Sequence, residues 1–232
     1  MRKALSIFLV LFSTSVWAVP STCQNGNFEK NELPVDIKYD QEICHDGFNV
    51  LYSEQARNPA VVAEYLTPQR LQQGFHVPRK NDFHEDEKLA EEFSQAELSD
   101  YDGSGYDRGH QAPAADAFDT ESKHQTFVMT NMVPQTPNLN RCTWRMIEEQ
   151  VRNTVLSGVN AYVLTGPIYQ NPIRTIGKSQ VWVPAYSFKA VKYSNGTTMI
   201  YVAENSKEIP KLQVFNEKDF SARFGFDPFK QD

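Results

Sequence analysis

The sequence predicts an α+β fold, and three stretches carry that expectation. Residues 181–193, "VWVPAYSFKAVKY", and 197–203, "TTMIYVA", flank Ser194-Asn195-Gly196, and Asn-Gly between alternating apolar runs is a hairpin signal. Residues 161–166, "AYVLTG", read as a buried strand, stopped by Gly166-Pro167. Residues 138–155, "NLNRCTWRMIEEQVRNTV", bring Trp144, Ile147, Val151 and Val155 to one side at helical spacing. Strand pairs and helices follow one another without regular βαβ alternation, which favours α+β over a parallel sheet.

The other elements are weaker. The opening "MRKALSIFLVLFSTSVWA" has Arg2 and Lys3, an apolar run and the small-residue pattern Val16-Trp17-Ala18. It reads as a signal peptide over 1–18, too short for a membrane span, and predicts a secreted or periplasmic protein with no membrane partner. Residues 19–232 are then expected to form a single domain with a proper core. In "VVAEYLTPQRLQQ" (61–73), Pro68 argues against one uninterrupted helix. Residues 82–100 are acid-rich and read as a solvated helix or loop, followed by the flexible turn "DGSG" at 102–105.

Charge and cysteines narrow the function. With 23 Lys and Arg against 29 Asp and Glu, the net charge is −6. That argues against a protein that coats nucleic acid, while leaving room for a local basic cleft. Three cysteines in an exported chain imply one bridge and one leftover thiol, with Cys23–Cys44 the favoured pair and Cys142 free. The rival pairing, Cys142 with Cys23 or Cys44, would tether the helix that follows and make activity redox-sensitive. None of the three has the spacing of a zinc site.

"YDRGHQAP" (106–113) is the richest chemical stretch. His110 titrates near neutrality and can take a proton from water. Arg108 offers a donor fork matched to phosphate oxygens, and Gly109 lets the backbone come close to a ligand. A calcium loop opening at Asp100 fits poorly, because its twelfth position is Gln111 and Pro113 follows. Downstream, Asn140, Glu148 and Arg152 fall on one helical flank, Glu148 roughly 80° and Arg152 roughly 120° from Asn140. An amide oxygen, a carboxylate and a guanidinium there suit a hydrated Mg²⁺ and a phosphate. They equally suit the polar side of an ordinary amphipathic helix, as Asp107 and Arg108 suit an ordinary surface pair, and geometry alone leaves both readings open.

Taken together, "DRGH" (107–110), "QAPAADA", "TNMVPQTPNLNRCTW", "EEQVR", "VLTGPIY" (163–169) and "VPAYSFK" (183–189) resemble the DNA/RNA non-specific endonucleases of the ββα-metal superfamily, the sugar-non-specific nucleases and their endonuclease G relatives. The resemblance covers about residues 60–205. It implies a central, mostly antiparallel sheet flanked by helices, and a metal-dependent cut of DNA and RNA that leaves 5′-phosphate and 3′-hydroxyl ends. It makes His110 the general base, Asn140 the direct ligand of Mg²⁺ (with Mn²⁺ as substitute) and Glu148 a partner of the ion through water. Arg79, Arg108 and Arg152 would clamp phosphate, with Asp107 and Asn131 in support. A site of this kind reads the shared phosphate rather than bases or 2′-hydroxyls. The alternatives are a nucleic-acid-binding protein on a decayed nuclease fold, and a phosphodiesterase for a small substrate. The sequence does not reveal a homodimer or a protein inhibitor.

Overall fold

The computed structural model describes residues 18–231, and among them no helix is long and apolar enough to cross a membrane. Apart from Ala18, the expected signal segment lies outside the described residues.

A short pair, β1 (Val19–Pro20) and β2 (Glu32–Leu33), precedes the meander β3 (Gln41–Cys44), β4 (Asn49–Ser53) and β5 (Asn58–Leu66). Then come α1 (Pro68–Gly74), β6 (Asp107–His110), α2 (Thr120–Gln125) and β7 (Met132–Gln135). A π-helical stretch, Leu139–Trp144, runs straight into α3 (Arg145–Leu156). The chain continues through β8 (Ala161–Ile168), the small hairpin β9 (Arg174–Ile176) and β10 (Val181–Val183), then β11 (Tyr186–Tyr193) and β12 (Thr198–Glu204). It closes with β13 (Gln213–Phe215) and α4 (Glu217–Phe224). Seven strands form one antiparallel sheet in the order β13-β12-β11-β8-β5-β4-β3, so the fold is α+β as expected.

Period-two alternation sorts each strand's side chains between two cores. On one face, Leu66, Val163, Val191 and Tyr193 pack against Trp144, Ile147, Val151 and Val155 of the helix. On the other, Ala63, Leu164, Phe188 and Ala190 pack with Phe28, Leu33 and Phe220, beside Phe224, Phe226 and Phe229 of the C-terminal segment. The terminal aromatics thus have a packing role.

Several local expectations are refined. Leu66 ends a strand, Thr67 caps the following helix by accepting from the Arg70 N–H, and Pro68 takes the first helical position, where it loses no hydrogen bond. Gly166-Pro167 does not stop β8. Pairing with β5 ends at Thr165 while pairing with β11 continues to Ile168, so Pro167 has no ladder partner to lose on the β5 side. The run 181–193 is two strands, since Pro184 separates β10, which pairs with β9, from β11. Asn195-Gly196 turns the β11–β12 hairpin, with Gly196 at φ 87°. The acid-rich segment is mostly irregular and not all solvated: Asp86 is buried, 3.0 Å from Nε2 of His45 and hydrogen-bonded by Thr130. Cys23 and Cys44 form the disulfide and Cys142 is free, so no bridge tethers the helix that carries Asn140.

Candidate active site

"DRGH" is a strand, not a loop. β6 pairs antiparallel with β7, with Gly109 opposite Val133 and His110 opposite Met132, and the π-helical stretch with α3 follows. Two strands and a helix therefore carry the candidate residues. Gly109 serves this pairing more than a ligand, because a Cβ there would run into the side chain of Gln135.

His110, Asn140, Glu148, Arg79, Arg108, Arg152 and Asp107 all line one cleft of about 600 Å³. Of the predicted set only Asn131 stands outside it. Asn131 is fully buried, accepts from Ala112 N–H at 2.9 Å, and donates to the carbonyls of Ala112 (2.9 Å) and Thr126 (2.8 Å). Its contact with the site is through the backbone two residues after His110. The mid-helical π stretch widens the turn between Asn140 and Trp144, so the regular-helix angles do not hold there, yet Asn140, Glu148 and Arg152 still share the cleft.

The imidazole of His110 packs between Phe83 and Phe127, with ring centroids 5.6 and 4.9 Å away. Its Nε2 is turned inward without a hydrogen-bond partner, leaving Nδ1 as the nitrogen toward the cleft. Burial, and then the charge of Arg79, push its pKa down to about 3, so the ring is neutral at physiological pH.

Asn140 donates from Nδ2 to Oδ2 of Asp107 at 3.0 Å. An ionised carboxylate only accepts, so this contact fixes the amide's orientation and leaves Oδ1 free of hydrogen bonds among the described residues. Burial alone would raise the pKa of Asp107, but hydrogen bonds from Arg141 and Asn140 and the charge of Arg141 hold it below the usual carboxylate value. Glu148 is pushed up to about 7 by burial, against the charges of Lys189 and Arg152. An acid so placed gains from any cation brought close to it.

Each cleft arginine is held differently. Arg108 donates to the Leu98 carbonyl at 3.1 Å and lies over the rings of Phe83 and Tyr101. Arg152 is tied to the buried Asp116 at 2.9 Å. Arg79 lies over Phe127 and donates to Asn81. Sequence reasoning missed two more, Arg141 and Arg145, which also line the cleft. Five arginines against Asp107, Glu148 and Glu149 make a locally basic cleft in an acidic chain.

Sequence reasoning also missed the charges beneath the cleft. Glu64 on β5 and Lys189 on β11 are buried on the sheet face that meets α3, and Lys189 donates to Oγ1 of Thr165 at 2.6 Å. Burial and the neighbouring Asp116 raise the pKa of Glu64, against the charges of Lys189 and Arg70. The available signal was a charge on an inward position of each apolar strand, in "VVAEYL" and "SFKAV".

Comparison with known proteins identifies the family. The model of the DNA/RNA non-specific endonuclease family matches residues 24–223, further in both directions than the 60–205 core read from motifs. Nuclease 1, mitochondrial, of Schizosaccharomyces pombe is 36% identical over 165 residues, covering 66% of this chain and 51% of its own length. Endonuclease G, mitochondrial, of Homo sapiens is 34% identical over 157 residues, covering 63% of this chain and 52% of its own. The chain spans about half the length of these curated relatives. A chain from the crystal structure of the EndoG/EndoGI complex superposes with a TM-score of 0.76 at 27% identity, over 89% of this chain and 91% of that one. The expectation of a secreted or periplasmic protein is corrected here, because these relatives are mitochondrial nucleases. By family model and by fold alike, the chain belongs to the DNA/RNA non-specific endonuclease family.

Proposed function

We propose that the chain is a metal-dependent endonuclease that hydrolyses phosphodiester bonds of DNA and RNA with little sequence preference, through one domain over residues 19–232. The observation that carries this reading is the convergence of a neutral His110 and an amide oxygen of fixed orientation, Asn140 Oδ1, on one arginine-lined cleft.

The donor set fits Mg²⁺. A neutral amide oxygen beside an acid that gains from a nearby cation suits an ion that keeps several of its waters, with Asn140 the direct ligand, Glu148 a partner through water, and Mn²⁺ able to substitute. When bound, the ion supplies neutralisation of phosphate charge. Arg108 and Arg152 hold the scissile phosphate and its developing charge, and Arg79 adds a third donor. His110 accepts a proton at Nδ1 from a water whose oxygen bonds to phosphorus in line, the bond from phosphorus to the 3′ oxygen breaks, and that oxygen takes up a proton from solvent water. The products carry 5′-phosphate and 3′-hydroxyl ends. Asp107 orients Asn140, and Asn131 fixes the backbone that follows the base.

Inhibitor binding is a further reading, favoured by the likeness to a chain from the EndoG/EndoGI complex. Incubating plasmid DNA and a structured RNA with the protein, with Mg²⁺ or with EDTA, tests the function. Cleavage of both polymers only with metal, with fragments that DNA polymerase extends without prior phosphatase treatment, is the expected result. Inertness on both polymers together with hydrolysis of a small diester would favour the small-substrate alternative.

A further inference from the structure

Arg141 follows directly on Asn140 and faces the same carboxylate. Its Nη2 donates to Asp107 Oδ1 at 2.6 Å and its Nε to Oδ2 at 2.8 Å, a two-point fork, while Oδ2 also takes the Asn140 amide at 3.0 Å. Both oxygens of Asp107 are therefore engaged, and its side chain is only 16% exposed, whereas the side chain of Arg141 is 69% exposed. Asp107 is bonded to the very amide that offers Oδ1 to the cleft. A carboxylate is a far better ligand for a hard cation than an amide oxygen, so an unshielded Asp107 would compete for the ion.

We propose that Arg141 is a positioning residue that shields Asp107 from the cation, so that the amide of Asn140 remains the ion's protein ligand and the ion stays hydrated and loosely held. The proposal rests on the reading of Asn140 as the metal ligand. The fork is what the role demands: it occupies one lone-pair direction on each oxygen at once, which a single-point donor does not. Arg141 still has Nη1 free to meet substrate while its other edge holds Asp107.

Arg145 provides the control. It lines the same cleft one turn on, with 66% of its side chain exposed against 69% for Arg141, but its ion pair is with Glu149 at 3.7 Å and it makes no contact with Asp107. Removing either arginine removes one positive charge from the cleft, and only one removal uncovers a carboxylate beside Asn140.

The test is calorimetric titration of Mn²⁺ and Ca²⁺ into the full chain without nucleic acid. Arg141→Gln is expected to bind the ion about tenfold tighter than wild type, and Arg145→Gln to change affinity by less than about threefold. Adding Asp107→Asn to Arg141→Gln is expected to abolish the gain. Equal tightening by the two single variants would reduce the effect to general charge and overturn the proposal, as would an unchanged affinity for Arg141→Gln. Failure of the underlying reading looks different: binding by wild type would then be absent, or would survive Asn140→Ala.

Discussion

Asn131 closes both backbone groups of Ala112, accepting from its N–H and donating to its carbonyl, each at 2.9 Å. The clamp lies two residues beyond His110 and is completely buried. Asn131→Ala leaves those groups and the Thr126 carbonyl without partners, which should cost about 3 kcal/mol. Activity at temperatures where the variant is folded should fall in kcat more than in KM, because the base is displaced while the phosphate contacts remain. Urea titration and steady-state kinetics on one preparation check both parts, and a variant as stable as wild type would refute the clamp.

His110 ties stability to acid. Its folded pKa, about 3, lies below its ordinary value of 6.5, so only the unfolded chain takes up the proton as pH falls. The unfolded state binds more protons between those values, and stability is lost as pH drops below about 6.5. With EDTA present, the Tm of wild type should decline from pH 7 to pH 5 more steeply than that of His110→Gln. Parallel declines would mean that the imidazole is no less hydrated than in the unfolded chain.

Glu148 has the opposite sign. Its folded pKa, about 7, lies above its ordinary value of 4.5, so the folded chain holds a proton that the unfolded chain gives up. Stability assigned to this group is lost as pH rises through that window. In EDTA, Glu148→Gln should gain on wild type between pH 5 and pH 8, and scanning calorimetry across that range reads the difference directly. A constant offset between the two proteins would remove the burial argument.

Beneath the cleft, the charge of Lys189 opposes the rise that burial imposes on the pKa of Glu64, and both side chains are buried. Lys189→Met strips a buried acid of a cationic neighbour and should cost about 3 kcal/mol, whereas Glu64→Gln with Lys189→Met should recover much of that loss. A double-mutant cycle by chemical denaturation measures the coupling. Strict additivity would show that the two groups act independently.

Much of this was legible in the sequence, for a physical reason. Trp144, Ile147, Val151 and Val155 announce the helix because burial at period 3.6 leaves an apolar trace, and Asn195-Gly196 announces its hairpin because a tight turn needs glycine's backbone freedom. His110, Asn140, Glu148 and Arg152 were found by motif, and the fold brings them to one cleft. What stayed hidden depends on pairing across the chain. Nothing local says that Arg141 reaches Asp107, that Asp86 is buried against His45, or that β8 outruns its β5 partner and so tolerates Pro167. Residues 82–100 were read as solvated from composition, which is blind to two acids turned inward, Asp86 and Asp100.

The disulfide gives a prediction separate from the chemistry. Cys23–Cys44 spans 21 residues and ties the first segment to β3, far in sequence from the cleft. Replacing both cysteines by serine should cost about 3 kcal/mol by the chain-entropy argument while leaving kcat unchanged at low temperature. A loss of kcat in fully folded protein would indicate that the segment reaches the site.

The most direct measurement is the rate of plasmid cleavage at saturating Mg²⁺ by wild type, His110→Ala and Asn140→Ala, each shown to be folded by circular dichroism. If the base and the ligand are as assigned, each substitution lowers the rate by about a hundredfold or more, and EDTA abolishes what the wild type does. Cleavage at the wild-type rate by either variant would contradict the assignment of the cleft.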